Sequence, residues 1–108
     1  MIARIWSGAV RATDADTYAA YIRETGFAEY GRTPGNRGAY LLRRDDEGVT
    51  EFTALSLWES VDAIRAFAGE DVEAAHIAPE ARALLSRWDE RVAHYEVAFD
   101  DQASGVTQ

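Results

Sequence analysis

The segment at residues 52–58 is apolar on both sides of the strand it must form. Side chains alternate across a strand, so Leu55 and Leu57 fall on one face while Phe52, Ala54 and Trp58 fall on the other. A small sheet with helices on one side covers only one face. The second face needs other cover, and a second copy of the chain is the simplest source. The pattern therefore points to a homodimer before it points to any chemistry.

The rest of the chain supplies the elements around this strand. Residues 1–10 read as a first strand, with Ile2, Arg4 and Trp6 on one face and Ala3 and Ile5 on the other. Thr13 is placed to cap a helix, with Asp14 and Asp16 in the first turn, where the helix dipole favours acids. That helix carries Tyr18, Tyr21 and Ile22, extends toward Phe27, and is expected to fray near Gly26 or later. Residues 33–36 have turn chemistry, and strands at 38–44 and 49–58 flank a hairpin connection at 45–48. Ser60 caps a second helix bearing Val61, Ile64, Phe67 and Ala68, and Gly69 ends it. A short helical turn is expected at 71–77, and Pro79 begins a third helical piece with Leu84 and Leu85. Residues 91–99 alternate as a last strand, with Val92, His94 and Glu96 on one face.

The order β-α-β-β-α-β, with right-handed crossovers, predicts an α+β, ferredoxin-like domain. It has a four-stranded antiparallel sheet with helices on one face, and two copies closing on their open faces form a dimeric α+β barrel. The domain spans 1–99, and the polar stretch 100–108 is expected to be a disordered tail.

Composition narrows the chemistry. Apolar residues make up 47% of the 108, enough for a globular core. The net charge is −8, and all 11 bases are arginine, so the chain repels phosphate backbones and is not expected to bind nucleic acid. No stretch has the length of a membrane span or the apolar core of a secretory signal, so no membrane partner is expected and the expected location is cytoplasmic. The lack of cysteine agrees with that compartment and removes thiolate nucleophiles and iron–sulfur ligands. The lack of lysine removes Schiff-base chemistry, and no P-loop or dinucleotide fingerprint is present.

Imidazole chemistry therefore falls to His76 and His94. His76 stands near Glu73 and Glu80, at most half a metal site, so no metal centre is expected. Arg4 stands out because a charge inside an apolar strand is costly unless paired. It is a functional cation, one half of a salt bridge to Glu96 or Glu51, or an edge-strand arginine facing water. Trp6 and Trp58 belong to the core or to a substrate platform, and Tyr21, Tyr40 and Tyr95 either fill space or hydrogen-bond a ligand.

Five segments carry a family resemblance: Met1-Ile-Ala-Arg-Ile-Trp6, Pro34-Gly-Asn-Arg-Gly38, Leu55-Ser-Leu-Trp-Glu-Ser60, Ala66-Phe-Ala-Gly69 and Val92-Ala-His-Tyr-Glu-Val97. Together, over residues 1–99, the chain resembles the antibiotic biosynthesis monooxygenase (ABM) superfamily of dimeric α+β barrels. The resemblance implies a cofactor-independent monooxygenase acting on a small aromatic or polyketide-like molecule. Arg4 and His94, with His76, would then be catalytic, and Trp6, Trp58, Phe67 and Tyr40 would bind the substrate. Two alternatives accompany it: a haem-binding or haem-degrading protein with His76 on the iron, and a non-catalytic dimer that binds a small molecule. The haem-degrading members use an Asn on the first strand, a Trp on the helix after the Leu-Trp-Glu segment, and an iron-binding His. Here Trp6 or Ser7 stands at the first position and Phe67 at the second, and His76 lies one residue nearer to it than the pattern expects.

Overall fold

The alternation in β3 (Val49–Trp58) holds residue by residue: Thr50, Phe52, Ala54, Ser56 and Trp58 are buried and the residues between them are half-buried. This computed structural model describes residues 1–101, so most of the tail expected at 100–108 lies outside the described residues. β3 runs antiparallel between β1 (Ile2–Arg11) and β2 (Asn36–Asp46). The β2–β3 connection is tighter than a four-residue loop: only Glu47 and Gly48 turn, at φ of 50° and 83°. Positive φ at both positions matches the right-handed twist of the strands they join.

The sheet order is β2-β3-β1, and the last edge of β1 is shared by two strands. β5 (Ala93–Glu96) pairs with residues 2–5, and β4 (Leu85–Trp88) pairs with residues 8–10. The antiparallel α+β, ferredoxin-like architecture is as expected, but with five strands rather than four. β4 escapes the sequence pattern because it is four residues long and follows directly on helix α4 (Pro79–Leu84). Leu85 turns extended and buries itself, and the Ser86 hydroxyl donates to the Ala9 carbonyl at 3.1 Å.

The helical layer also differs from expectation. A 3-10 turn at Ala12–Asp14 contains Thr13, so Thr13 does not cap the helix, and Asp14 pairs with Arg11 at 3.3 Å instead. α1 (Ala15–Glu24) does not fray at Gly26. It bends at Thr25, whose hydroxyl donates to the Tyr21 carbonyl at 2.7 Å, and resumes as α2 (Gly26–Arg32). α3 (Val61–Ala68) has the expected ends: Ser60 Oγ accepts from the Ala63 amide at 3.2 Å, and Gly69 follows at φ 89°. The segment 71–77 makes a single turn, closed by the Ala74 amide donating to the Asp71 carbonyl at 3.1 Å, and then runs on as an irregular strap without a helix. Arg91 ties it down through Asp71 and Glu73, both at 3.1 Å, and the Val92 amide donates to the Glu73 carbonyl at 2.8 Å.

Burial divides the two faces of the sheet. On the inner face, one core cluster gathers Val10, Tyr18, Phe52 and Leu85, and a second gathers Trp58, Ile64 and Ala68. On the outer face, Tyr40, Leu55 and Ile5 line up across β2, β3 and β1, and Tyr95 lies opposite Ala3. Tyr40 is 61% exposed and Tyr95 58%, so this apolar face is open in the single chain. Among the described residues no helix is long and apolar enough to cross a membrane.

Candidate functional site

Strand alternation puts Arg4, Trp6 and Gly8 on the inner face of β1, beneath the helices. Gly8 is required there: a Cβ at this position would lie 2.7 Å from Cη2 of Trp6 and 2.9 Å from Cδ2 of Leu85. The indole therefore occupies the space over the glycine. Its Nε1 donates to the Asp89 carbonyl at 2.8 Å, which fixes the ring.

Arg4 is only 7% exposed. Its Nη1 donates to the Val72 carbonyl at 2.6 Å and lies 3.0 Å from Nε2 of His94, its cross-strand neighbour. A guanidinium can only donate, so Nε2 accepts and the His94 proton sits on Nδ1. Burial, and then the Arg4 charge, pushes the His94 pKa below its ordinary value, with Glu73 acting the other way. The neutral ring that this favours is the form the hydrogen bond needs. The guanidinium also lies over the Phe67 ring, 5.8 Å from its centroid.

The expected salt bridges to Glu96 or Glu51 are not made. Glu51 pairs with Arg44 and Arg87 at 3.0 and 3.1 Å, and among the described residues no carboxylate pairs with Arg4. Its Nε and Nη2 make no hydrogen bond among those residues either. Burial lowers the Arg4 pKa, with Tyr30 acting against it. A guanidinium nevertheless stays charged at neutral pH, so among the described residues it is a buried cation without a counter-ion.

Tyr30 stands beside that cation, delivered by α2. Its ring lies 4.8 Å from Phe67, 5.1 Å from Phe27 and 5.9 Å edge-on from Trp58. Trp58 Nε1 donates to Ser56 Oγ at 2.9 Å, and Ser56 faces Tyr30. Burial raises the Tyr30 pKa, opposed by Arg4 and by Ser56.

These groups surround a cavity of about 350 Å³ between the sheet and the helices, whose wall takes side chains from both core clusters. Of the residues singled out from the sequence, Arg4, Trp6, Tyr21, Phe67 and His76 line it. His76 comes from the strap after α3, where its Nε2 donates to the Ala68 carbonyl at 3.0 Å and leaves Nδ1 as the free lone pair. Trp58 is fully buried behind Phe67, at 5.6 Å. His94 stands behind Arg4 and not on the wall, and Tyr40 lies on the outer face, away from the cavity.

Sequence reasoning missed Tyr30 and gave no role to Tyr18, which also lines the wall. Tyr18 and Tyr21, and Phe27 and Tyr30, each stand three residues apart, so both pairs share a helix face once the helix is carried past Gly26. Among the described residues no three His, Cys, Asp or Glu side chains gather as a metal site.

Solved structures with this architecture exist, although no family model and no curated protein matches the sequence. A point variant of MhuD with two manganese protoporphyrin IX bound per active site superposes with a TM-score of 0.69 at 22% identity, covering 95% of this chain and 100% of its own. A point variant of SnoaB, a cofactor-independent oxygenase from Streptomyces nogalater, gives 0.66 at 19% identity, covering 97% of both chains. A Bacillus cereus protein assigned as an antibiotic biosynthesis monooxygenase gives 0.66 at 17% identity, covering 94% of this chain and 97% of its own. The chain shares its fold with MhuD, SnoaB and this Bacillus cereus antibiotic biosynthesis monooxygenase. On this fold the chain pairs its first strand with its last, and that pairing brings Arg4 and His94 together.

Proposed function

We propose that the chain is a cofactor-independent monooxygenase for a small, flat, acidic aromatic or polyketide-like molecule. The observation that carries this reading is Arg4: a buried cation that has, among the described residues, no carboxylate partner and unused donors, on the wall of an aromatic cavity. A buried charge is stable when paired, and a ligand oxyanion would pair it. A cavity of about 350 Å³ is at the small end of organic-ligand pockets, suited to a few fused rings. SnoaB, of the same fold, is a cofactor-independent oxygenase, which supports the assignment.

An anthrone-like substrate illustrates the chemistry. Its ring CH2 gives a proton to a base, and the resulting enolate is stabilised by Arg4 and Tyr30. His76 Nδ1, the free imidazole lone pair on the wall, is the proposed base. The enolate passes one electron to O2, and the radical pair combines to form the C–O bond of a peroxide anion. That anion takes up a proton, then loses water as the second C–H proton leaves and the O–O bond breaks, so CH2 plus O2 becomes C=O plus H2O. Trp6 and Phe67 flank the ring system, and His94 positions Arg4 through the Nε2 contact.

Haem is the rival ligand, since MhuD from Mycobacterium tuberculosis binds two haems in its active site. The side chains here suit it poorly. The one imidazole on the wall has its Nε2 proton committed to Ala68, so Nε2 offers iron no lone pair, and Phe67 stands where the haem-degrading pattern has a Trp.

The same reading includes a homodimer, closed through the open face bearing Tyr40, Leu42, Leu55 and Tyr95, and a cytoplasmic location. Leu55→Arg would convert the dimer to monomer in sedimentation, and an unchanged sedimentation coefficient would count against that face.

The test is an oxygen electrode with an anthrone, comparing protein with buffer alone. The expected result is one O2 consumed per quinone formed, above background autoxidation and abolished in His76→Ala. No acceleration, or a saturable haemin Soret shift that His76→Ala removes, overturns the reading.

A further inference from the structure

Tyr18 packs on Phe52 with ring centroids 5.1 Å apart, and Phe52 lies opposite Gly8 where Arg4 lies opposite Ser56. Four residues of strand separate those positions, about 13 Å. Tyr18 and Arg4 thus lie toward opposite ends of one cavity wall. The Tyr18 side chain is 1% exposed, yet its hydroxyl makes no hydrogen bond among the described residues. Buried hydroxyls nearly always have a partner, so an orphan on a cavity wall calls for one inside the cavity. Among the other polar groups on that wall, the Thr25 hydroxyl is committed to the Tyr21 carbonyl and the Trp6 indole to Asp89, while Tyr21, whose hydroxyl also makes no bond among the described residues, is only half-buried.

We propose that Tyr18 is the second polar anchor of the cavity, so that the preferred ligand is a flat polycycle with oxygens on two opposite edges. One edge places an oxyanion at Arg4, and the other meets the Tyr18 hydroxyl. This rests on reading the cavity as an aromatic-anion site and adds to it a substrate class, one doubly oxygenated rather than carrying a single phenol. Burial, with Tyr30 and Tyr21 nearby, raises the Tyr18 pKa, which keeps the phenol neutral and able to donate.

Tyr18→Phe tests the proposal because it keeps the ring against Phe52 and removes only the hydroxyl. Two probes are titrated by absorbance: an anthraquinone with hydroxyls on opposite outer rings, and its analogue with one of them removed. Wild type is expected to prefer the two-hydroxyl probe by about tenfold, the size of one good hydrogen bond, and Tyr18→Phe to bind both alike. The melting temperature of the variant is expected to stay the same or rise, because no internal bond is lost. Wild-type binding with an unchanged preference in Tyr18→Phe overturns the Tyr18 anchor and leaves the site reading standing. A lower melting temperature also overturns it, by showing that the hydroxyl has a partner within the protein. Failure of both probes to bind wild type overturns the aromatic-anion reading itself.

Discussion

Replacing Arg4 by Met separates a structural cation from a ligand-binding one. The variant loses two hydrogen bonds from a charged donor, to Val72 and His94, worth about 1.5–3 kcal/mol each. It also loses the contact with Phe67, about 0.5–2 kcal/mol. Against this, it removes a buried guanidinium without a counter-ion, whose desolvation costs several kcal/mol. The terms nearly cancel, so stability should change by no more than about 2 kcal/mol in a denaturant melt. Binding has no such cancellation. An oxyanion about 4 Å from the charge, at an effective dielectric of about 20, gains up to about 4 kcal/mol. Net of ligand desolvation, the loss should be roughly hundredfold in affinity. A hydroxyanthraquinone titrated as its anion should show that drop, while unsubstituted anthraquinone should bind within about threefold of wild type. Equal weakening of both ligands would refute the argument, and so would a protein that no longer folds.

Gly8→Ala should cost about 1–3 kcal/mol in a denaturant melt, because the new methyl meets Trp6 and Leu85 at under 3.0 Å, and tryptophan fluorescence should shift as the indole moves. An unchanged melt would mean that the ring has room to retreat. His94 has a pKa depressed below 6.5 in the fold, so the unfolded chain binds more protons in the window between the two values. Stability should therefore fall as pH drops below about 6.5 and level off beneath the folded pKa, whereas His94→Gln should lack that component in melts across pH 4–8. Identical pH slopes for the two proteins would exclude His94 as the source.

The strand pattern was legible because alternation is local: each residue of β3 lies on the face its position predicts. Arg4 was legible as an anomaly, since one charge interrupts an apolar face. Its partners were not. Val72 and His94 lie 68 and 90 positions away, and no spacing rule connects them to β1. Tyr30 was hidden by a glycine. Gly26 normally weakens a helix, but the Thr25 amide and hydroxyl both donate to the Tyr21 carbonyl, which closes the last turn of α1, and a second helical segment begins at the next residue. β4 was hidden by its brevity, because four residues are too few to separate strand from helix periodicity.

The shared edge of β1 has a consequence for how the chain folds. The β2–β3 hairpin closes locally across two turn residues, but β1 finds its second neighbour only in β4 and β5, with Trp6 bonded 83 positions away and Arg4 90. Such long loops close slowly, which places folding toward the millisecond-to-second range of non-local topologies. Until then β1 has an open edge, available to any other strand in a crowded cell. The same late pairing brings His94 to Arg4, so completion of the sheet and assembly of the binding cavity are one kinetic event.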